Sequence, residues 1–168
     1  MSNINRTNTQ KTTIKIVKMG MLIAIAIVLV ALIHIPIFPA VPFLEYDPAD
    51  IPIMIGSFAF GPVAGLIITA ITALLQGVTV SAGSGAYGII MHIIATGVFV
   101  LVSGIIYRLN KTKKGALIGI IIGTVSMAVV MMAANMLITP LFMGVPASVV
   151  WTLMPFIFAF NLIKAGIN

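Results

Sequence analysis

The stretch IPIMIGSFAFGPVAGLIITAITALLQ, residues 51–76, decides how many times this chain crosses a membrane. It is apolar from end to end, and it can be one long tilted helix or two short ones. The triplet Phe60-Gly61-Pro62 favours the second reading. Proline has no backbone N–H and disfavours helix at the residue before it, whereas glycine permits the turn that joins two helices. The predicted pair is a short helix over 50–59 and a second from Pro62 to Gln76. Each is shorter than the ~20 residues of a full span, so protein or an inward-dipping loop must cover its ends.

Outward from this stretch, further apolar runs cover 14–33, 87–107, 115–139 and 149–168. The 168 residues are 61% apolar and 7% charged, with a mean hydropathy of +1.23. A water-soluble domain of that composition has too few polar side chains to cover its surface, so lipid is the solvent for most of the chain. At ~20 residues per span there is room for five or six helices and for no nucleotide-binding domain.

Charge placement supplies the parity argument. Arg6, Lys11, Lys15 and Lys18 precede the first apolar run, and Arg108, Lys111, Lys113 and Lys114 fill one short loop. Loop clusters of Lys and Arg mark the cytoplasmic side, which explains the +6 net charge without nucleic acid. An even number of crossings must therefore separate residue 18 from residue 108. Counting 51–76 once gives three; splitting it restores an even number. The expected fold is all-α and integral to the membrane. It is a six-helix transmembrane bundle with a short second helix and a long outer loop between helices 1 and 2, forming a single domain over 1–168. Residues 1–13 are a cytoplasmic tail, and the first helix is a retained anchor rather than a cleaved signal. The protein is multi-pass in the cell membrane with its N-terminus in the cytoplasm.

This topology gathers three features on the outer face: the acids Glu45, Asp47 and Asp50, the loop Ser81-Ala82-Gly83-Ser84-Gly85, and the Pro140 to Pro146 connection. Lys164 stands alone among Phe160, Leu162, Ile163 and Ile167. A cation in hydrocarbon is costly and should face the bundle interior with a partner. Asn161 is three residues earlier on the same helical face, and Asn135 belongs near the outer end of the fifth helix. Together these predict a polar patch able to hold a neutral molecule rich in hydrogen-bonding groups. Asp50 is placed to cap the helix beginning at Ile51. His92 is expected to be a hydrogen-bonded interior residue and His34 an interfacial one. Met127, Met131, Met132, Met136 and Met143 offer thioethers that suit a flat aromatic ligand or ordinary packing. Small residues four apart, Gly20 and Ala24 on helix 1 and Gly115, Gly119 and Gly123 on helix 5, allow close helix approach. Helix 1, extended by Ala26 and Ala31, is the better docking face.

With no cysteine, thiol chemistry and thiolate metal sites are excluded. No Walker A, Gly-x-Ser-x-Gly or His-Glu-x-x-His motif is present, so ATP-driven work needs other subunits. An intramembrane enzyme using Glu45, Asp47 and Asp50 around a metal is the different-class alternative.

FLEYDPADIP at Phe43 to Pro52, FGPVAG at Phe60 to Gly65, Asn135 before Thr139-Pro140-Leu141, and FNLIKAG at Phe160 to Gly166 occur in that order. This series resembles the riboflavin-specific substrate-binding (S) components of energy-coupling factor (ECF) transporters. The resemblance implies high-affinity capture of riboflavin from outside, without chemistry on the ligand and without a resident cofactor or metal. It implies as partners a transmembrane coupling subunit and two cytoplasmic ATPases. An S component for another small vitamin or precursor is the nearest alternative. Carried over by resemblance, the vitamin-contacting positions are Asp47 in the first outer loop, with Glu45 and Tyr46 beside it, then Asn135, Asn161 and Lys164. The docking face is Gly20 and Ala24, where the family usually has alanines. Ala159 replaces a common proline. The sequence stops at Asn168 where the family's last helix continues, so the expectation is either an incomplete sequence or a marginal final span.

Overall fold

In the computed structural model, residues 2–168 are described, with side chains from Thr7 onward; Arg6 of the first basic cluster falls outside those side chains. The described chain forms six α-helices: α1 Ser2–Leu32, α2 Asp50–Phe60, α3 Pro62–Val78, α4 Gly85–Leu109, α5 Lys113–Met143 and α6 Ala147–Ile167. Four stretches, Thr7–Leu32, Ala82–Leu109, Lys113–Met143 and Ala147–Ile167, are long and apolar enough to cross a membrane. The helices α2 and α3 are the shorter pair.

The expected break at Gly61 is present. Its φ of +94° lies in the region that glycine alone adopts freely, and Pro62 occupies the first turn of α3, where a missing N–H costs nothing. The hairpin then folds tightly, because a Cβ on Gly65 would overlap Val100 and Ser57. Helix α4 lies between α3 and α5, α6 packs on α5, and α1 lies against α2 and α3. The α4–α5 approach uses the glycine series: a Cβ on Gly119 would sit 2.8 Å from the Ser103 carbonyl oxygen, and one on Gly123 would sit 3.0 Å from that of Phe99. Ser103 Oγ donates to the Gly119 carbonyl at 2.9 Å across the same seam.

Helix α1 extends back to Ser2, through the stretch expected as a tail, since no glycine precedes Gly20 and no proline precedes Pro36. Two boundaries differ from expectation. Helix α5 runs through Pro140 to Met143, because a proline in the last turn forfeits one hydrogen bond without ending the helix. It stops at Gly144, whose φ is +65°, so the expected outer loop over 140–148 shrinks to residues 144–146. The long loop after α1 is not irregular throughout. Ile35–Pro36 (β1) and Glu45–Tyr46 (β2) pair antiparallel, Ile35 with Tyr46 and Pro36 with Glu45.

Side-chain exposure is reversed relative to a water-soluble protein. Ile121, Val125 and Val129 face outward along α5, while Asn135, Asp50 and Thr96 are fully buried. Lys15 of the first basic cluster and Arg108 of the second line one groove, so both clusters lie at one end of the bundle. The glycine seam and the hairpin hold α3, α4 and α5 around a cavity at the other end, where the loop carrying β1 and β2 folds over α6. Val41 and Leu44 of that loop pack on Val150, Met154, Ile157 and Phe160.

Candidate ligand site beneath the acidic loop

The loop from Ile33 to Ala49 is a lid, and its attachment to α6 is polar as well as apolar. Lys164 Nζ donates to Asp47 Oδ2 at 2.8 Å, with Lys164 7% and Asp47 2% exposed. The second Asp47 oxygen accepts the Ala49 N–H at 3.0 Å. Burial works to raise the Asp47 carboxyl. The Lys164 ammonium and these hydrogen bonds outweigh it and hold the group below its ordinary value, so it is a carboxylate. Asn168 adds three bonds from one side chain. Its amide nitrogen donates to the Asp47 carbonyl at 3.0 Å and to Asp50 Oδ2 at 3.3 Å, and its oxygen accepts Tyr46 OH at 3.0 Å. Partial burial and the Asp47 charge raise the Tyr46 phenol, which keeps its proton for that bond. At the other edge of the lid, His34 Nε2 lies 2.6 Å from Glu45 Oε2 and braces the two-strand ribbon.

Asp50 does not cap α2, contrary to expectation. Ala49 holds the cap position without a side-chain bond, and the Asp50 carboxylate turns inward to accept Thr96 Oγ1 at 2.6 Å. The three acids thus diverge to three different partners instead of converging on one point, and no group of three ligating side chains forms among the described residues.

Beneath the lid lies a cavity of about 100 Å³. Of the residues expected at a ligand, Glu45, Asp47, Asn161 and Lys164 line it. Tyr46 faces Asn168 instead, and Asn135 sits one layer behind the wall. Asn135 is fully buried, donating to the Met131 carbonyl at 2.8 Å and accepting Thr139 Oγ1 at 2.8 Å. Thr139 in turn meets Tyr87 OH at 3.0 Å, so Asn135 reaches the cavity through a relay whose last member does line it. Phe43, Phe160, Met127 and Met131 supply the apolar wall. Of the other three methionines, Met132 and Met136 pack toward the cluster beneath the lid and Met143 is exposed.

Two wall residues carry no specific binding signal in the sequence pattern. Gln76 reads only as the end of an apolar run. His92 was expected to be hydrogen-bonded, yet its Nε2 is buried with no partner among the described residues. A lone imidazole in an apolar helix was the available signal. On α1, Gly20 and Ala24 are exposed, and nothing lies within 4 Å of a Cβ placed on Gly20. Ala26, grouped with them on sequence, is instead fully buried in the core, while Ala31 is exposed.

Comparison with known proteins bears on the family and the fold. A family model described as "ECF transporter, substrate-specific component" matches residues 14–168. The solved structure reported as "Structure and mechanism of the S component of a bacterial ECF transporter" superposes with a TM-score of 0.80 at 30% identity. The superposition covers 93% of this chain and 89% of that one. The riboflavin transporter RibU of Staphylococcus aureus (strain TCH60) is 40% identical over 63 residues, which is 37% of this chain. That match spans 32% of the length of the curated relative.

Proposed function

Because this chain belongs to the family of ECF transporter substrate-specific components, we propose that it captures riboflavin at the outer face of the cell membrane. It performs no chemistry on the vitamin. In this reading it delivers the ligand through a transmembrane coupling subunit driven by two cytoplasmic ATPases. The N-terminus and the Arg108 to Lys114 loop face the cytoplasm, and the hairpin of α2 and α3 completes six crossings. The shared groove of Lys15 and Arg108 supports that orientation.

The observation that carries the reading is the buried Asp47–Lys164 pair closing an acidic lid over a wall of Phe43, Phe160, Met127 and Met131. A flat ring system needs apolar and sulfur-rich faces, and a few placed polar groups orient it. The partial match to a riboflavin transporter supports the flavin among small vitamins. At about 100 Å³ the cavity is well below the ~300 Å³ of small-molecule pockets, so the ring enters only as the lid lifts and the wall gives way. Gly20 and Ala24, exposed on α1, form the docking face for the coupling subunit in this proposal.

Titration of the purified protein with a panel of vitamins tests the ligand. Riboflavin fluorescence quenched saturably at one ligand per chain is the expected result. Saturable binding of a different vitamin with none of riboflavin refutes it.

A further inference from the structure

We infer that Gln76 and His92 determine specificity by engaging the polyol chain of the ligand, on the wall formed by α3, α4 and the connection between them. This rests on the riboflavin reading above. Gln76 is 8% exposed; its amide nitrogen donates to Ser81 Oγ at 3.3 Å, and its Oε1 is buried with no partner among the described residues. His92 Nε2 is in the same condition. Both residues line the cavity, as do Ser81 and Ser84. The two helices are held together at this point, since a Cβ on Gly77 would overlap Ile89, one turn before His92.

Buried polar atoms without partners are costly, and native proteins leave few of them. Two on one cavity wall define what an occupant must bring. Gln76 Oε1 requires a donor. His92 Nε2 takes an acceptor or a donor according to its tautomer. Hydroxyl groups meet both requirements, because each donates one hydrogen bond and accepts others. The opposite chemistry, thioether and aromatic faces from Met127, Met131 and Phe160, comes from α5 and α6. In this reading the hydroxyls lie toward Gln76 and His92, and the ring lies toward Met127, Met131 and Phe160, with Asn161 and Lys164 at its edge.

The experiment compares riboflavin with lumiflavin, the same ring system carrying a methyl group in place of the polyol. Gln76→Met and His92→Phe are each titrated with both ligands by fluorescence quenching. Each substitution is expected to weaken riboflavin roughly tenfold, the loss of one buried hydrogen bond, while leaving lumiflavin within about twofold of the unsubstituted protein. Retained lumiflavin binding also shows that the variant is folded. Equal losses for the two ligands, or no loss for riboflavin, overturn the inference while the riboflavin reading stands. Failure of the unsubstituted protein to bind either flavin overturns both.

Discussion

Replacing Lys164 by methionine removes the ammonium and keeps most of the side-chain volume, leaving the Asp47 carboxylate 2% exposed with its Ala49 bond alone. Breaking a buried pair from one side costs about 3–5 kcal/mol, because the remaining charge is uncompensated. The lid has an escape: it can lift Asp47 into water. The penalty therefore appears as an open lid, and the affinity of any ligand that needs the lid closed falls by about 10²–10⁴. Removing the second charge should restore much of the loss, since a neutral pair of similar volume has no such penalty. The assay is a double-mutant cycle of Lys164→Met, Asp47→Asn and the double variant, each titrated with riboflavin by fluorescence quenching in detergent. A coupling of about 1.5 kcal/mol or more, with the double variant binding better than Lys164→Met alone, is expected. Additive losses within ~0.5 kcal/mol would refute the reasoning, because the two groups would then act separately and the 2.8 Å contact would not govern closure.

Asn168→Ala deletes two hydrogen bonds to the lid and one to Asp50 at the start of α2, and should loosen the lid by roughly 1–3 kcal/mol; faster hydrogen exchange at Tyr46 to Ala49, with α3 to α5 unchanged, is the readout. Because Asp47 titrates below its ordinary value, the stability it contributes is present above the usual carboxylate range and lost as pH falls through that lowered value. Exchange protection of the lid should accordingly be flat from about pH 8 to pH 5 and fall only in stronger acid. Gly119→Leu forces a branched side chain into the Ser103 carbonyl and should lower detergent-solubilised stability by ~3 kcal/mol or more, measured by thermal unfolding. A Cβ at Gly20 meets nothing within 4 Å, so Gly20→Ala should leave both stability and riboflavin binding unchanged, and Gly20→Leu should reduce co-purification with the coupling subunit.

The features legible in the sequence were those fixed by short-range rules or by a large energetic constraint. The Phe60-Gly61-Pro62 break is local stereochemistry, and the glycine series on α5 is a local pattern that reports its own packing. Lys164 was legible because an ammonium in an apolar helix must find a partner, although the sequence pointed only to the amides Asn161 and Asn135 beside it. The structure assigns it Asp47. What was illegible depended on contacts between distant segments. Asp50 has the spacing of a helix cap, yet Thr96, 46 residues away, claims its carboxylate. The pairing of Ile35 with Tyr46 spans a proline-rich stretch with no strand pattern, and the register is held by the docking of that loop on α6 and by the His34–Glu45 contact. Likewise, no local signal says whether a glutamine or histidine will be left without a partner, since that depends on what the neighbouring helices fail to offer.

The Asp47–Lys164 contact joins residues 117 apart in sequence. At ~5–20 residues per second of synthesis, Asp47 leaves the ribosome roughly 6–23 s before the lysine that neutralises it. During biogenesis the carboxylate must wait in water, and the vestibule is assembled last, after every earlier helix has been inserted. A nascent chain arrested before α6 should therefore be membrane-embedded and helical, yet unable to retain a vitamin.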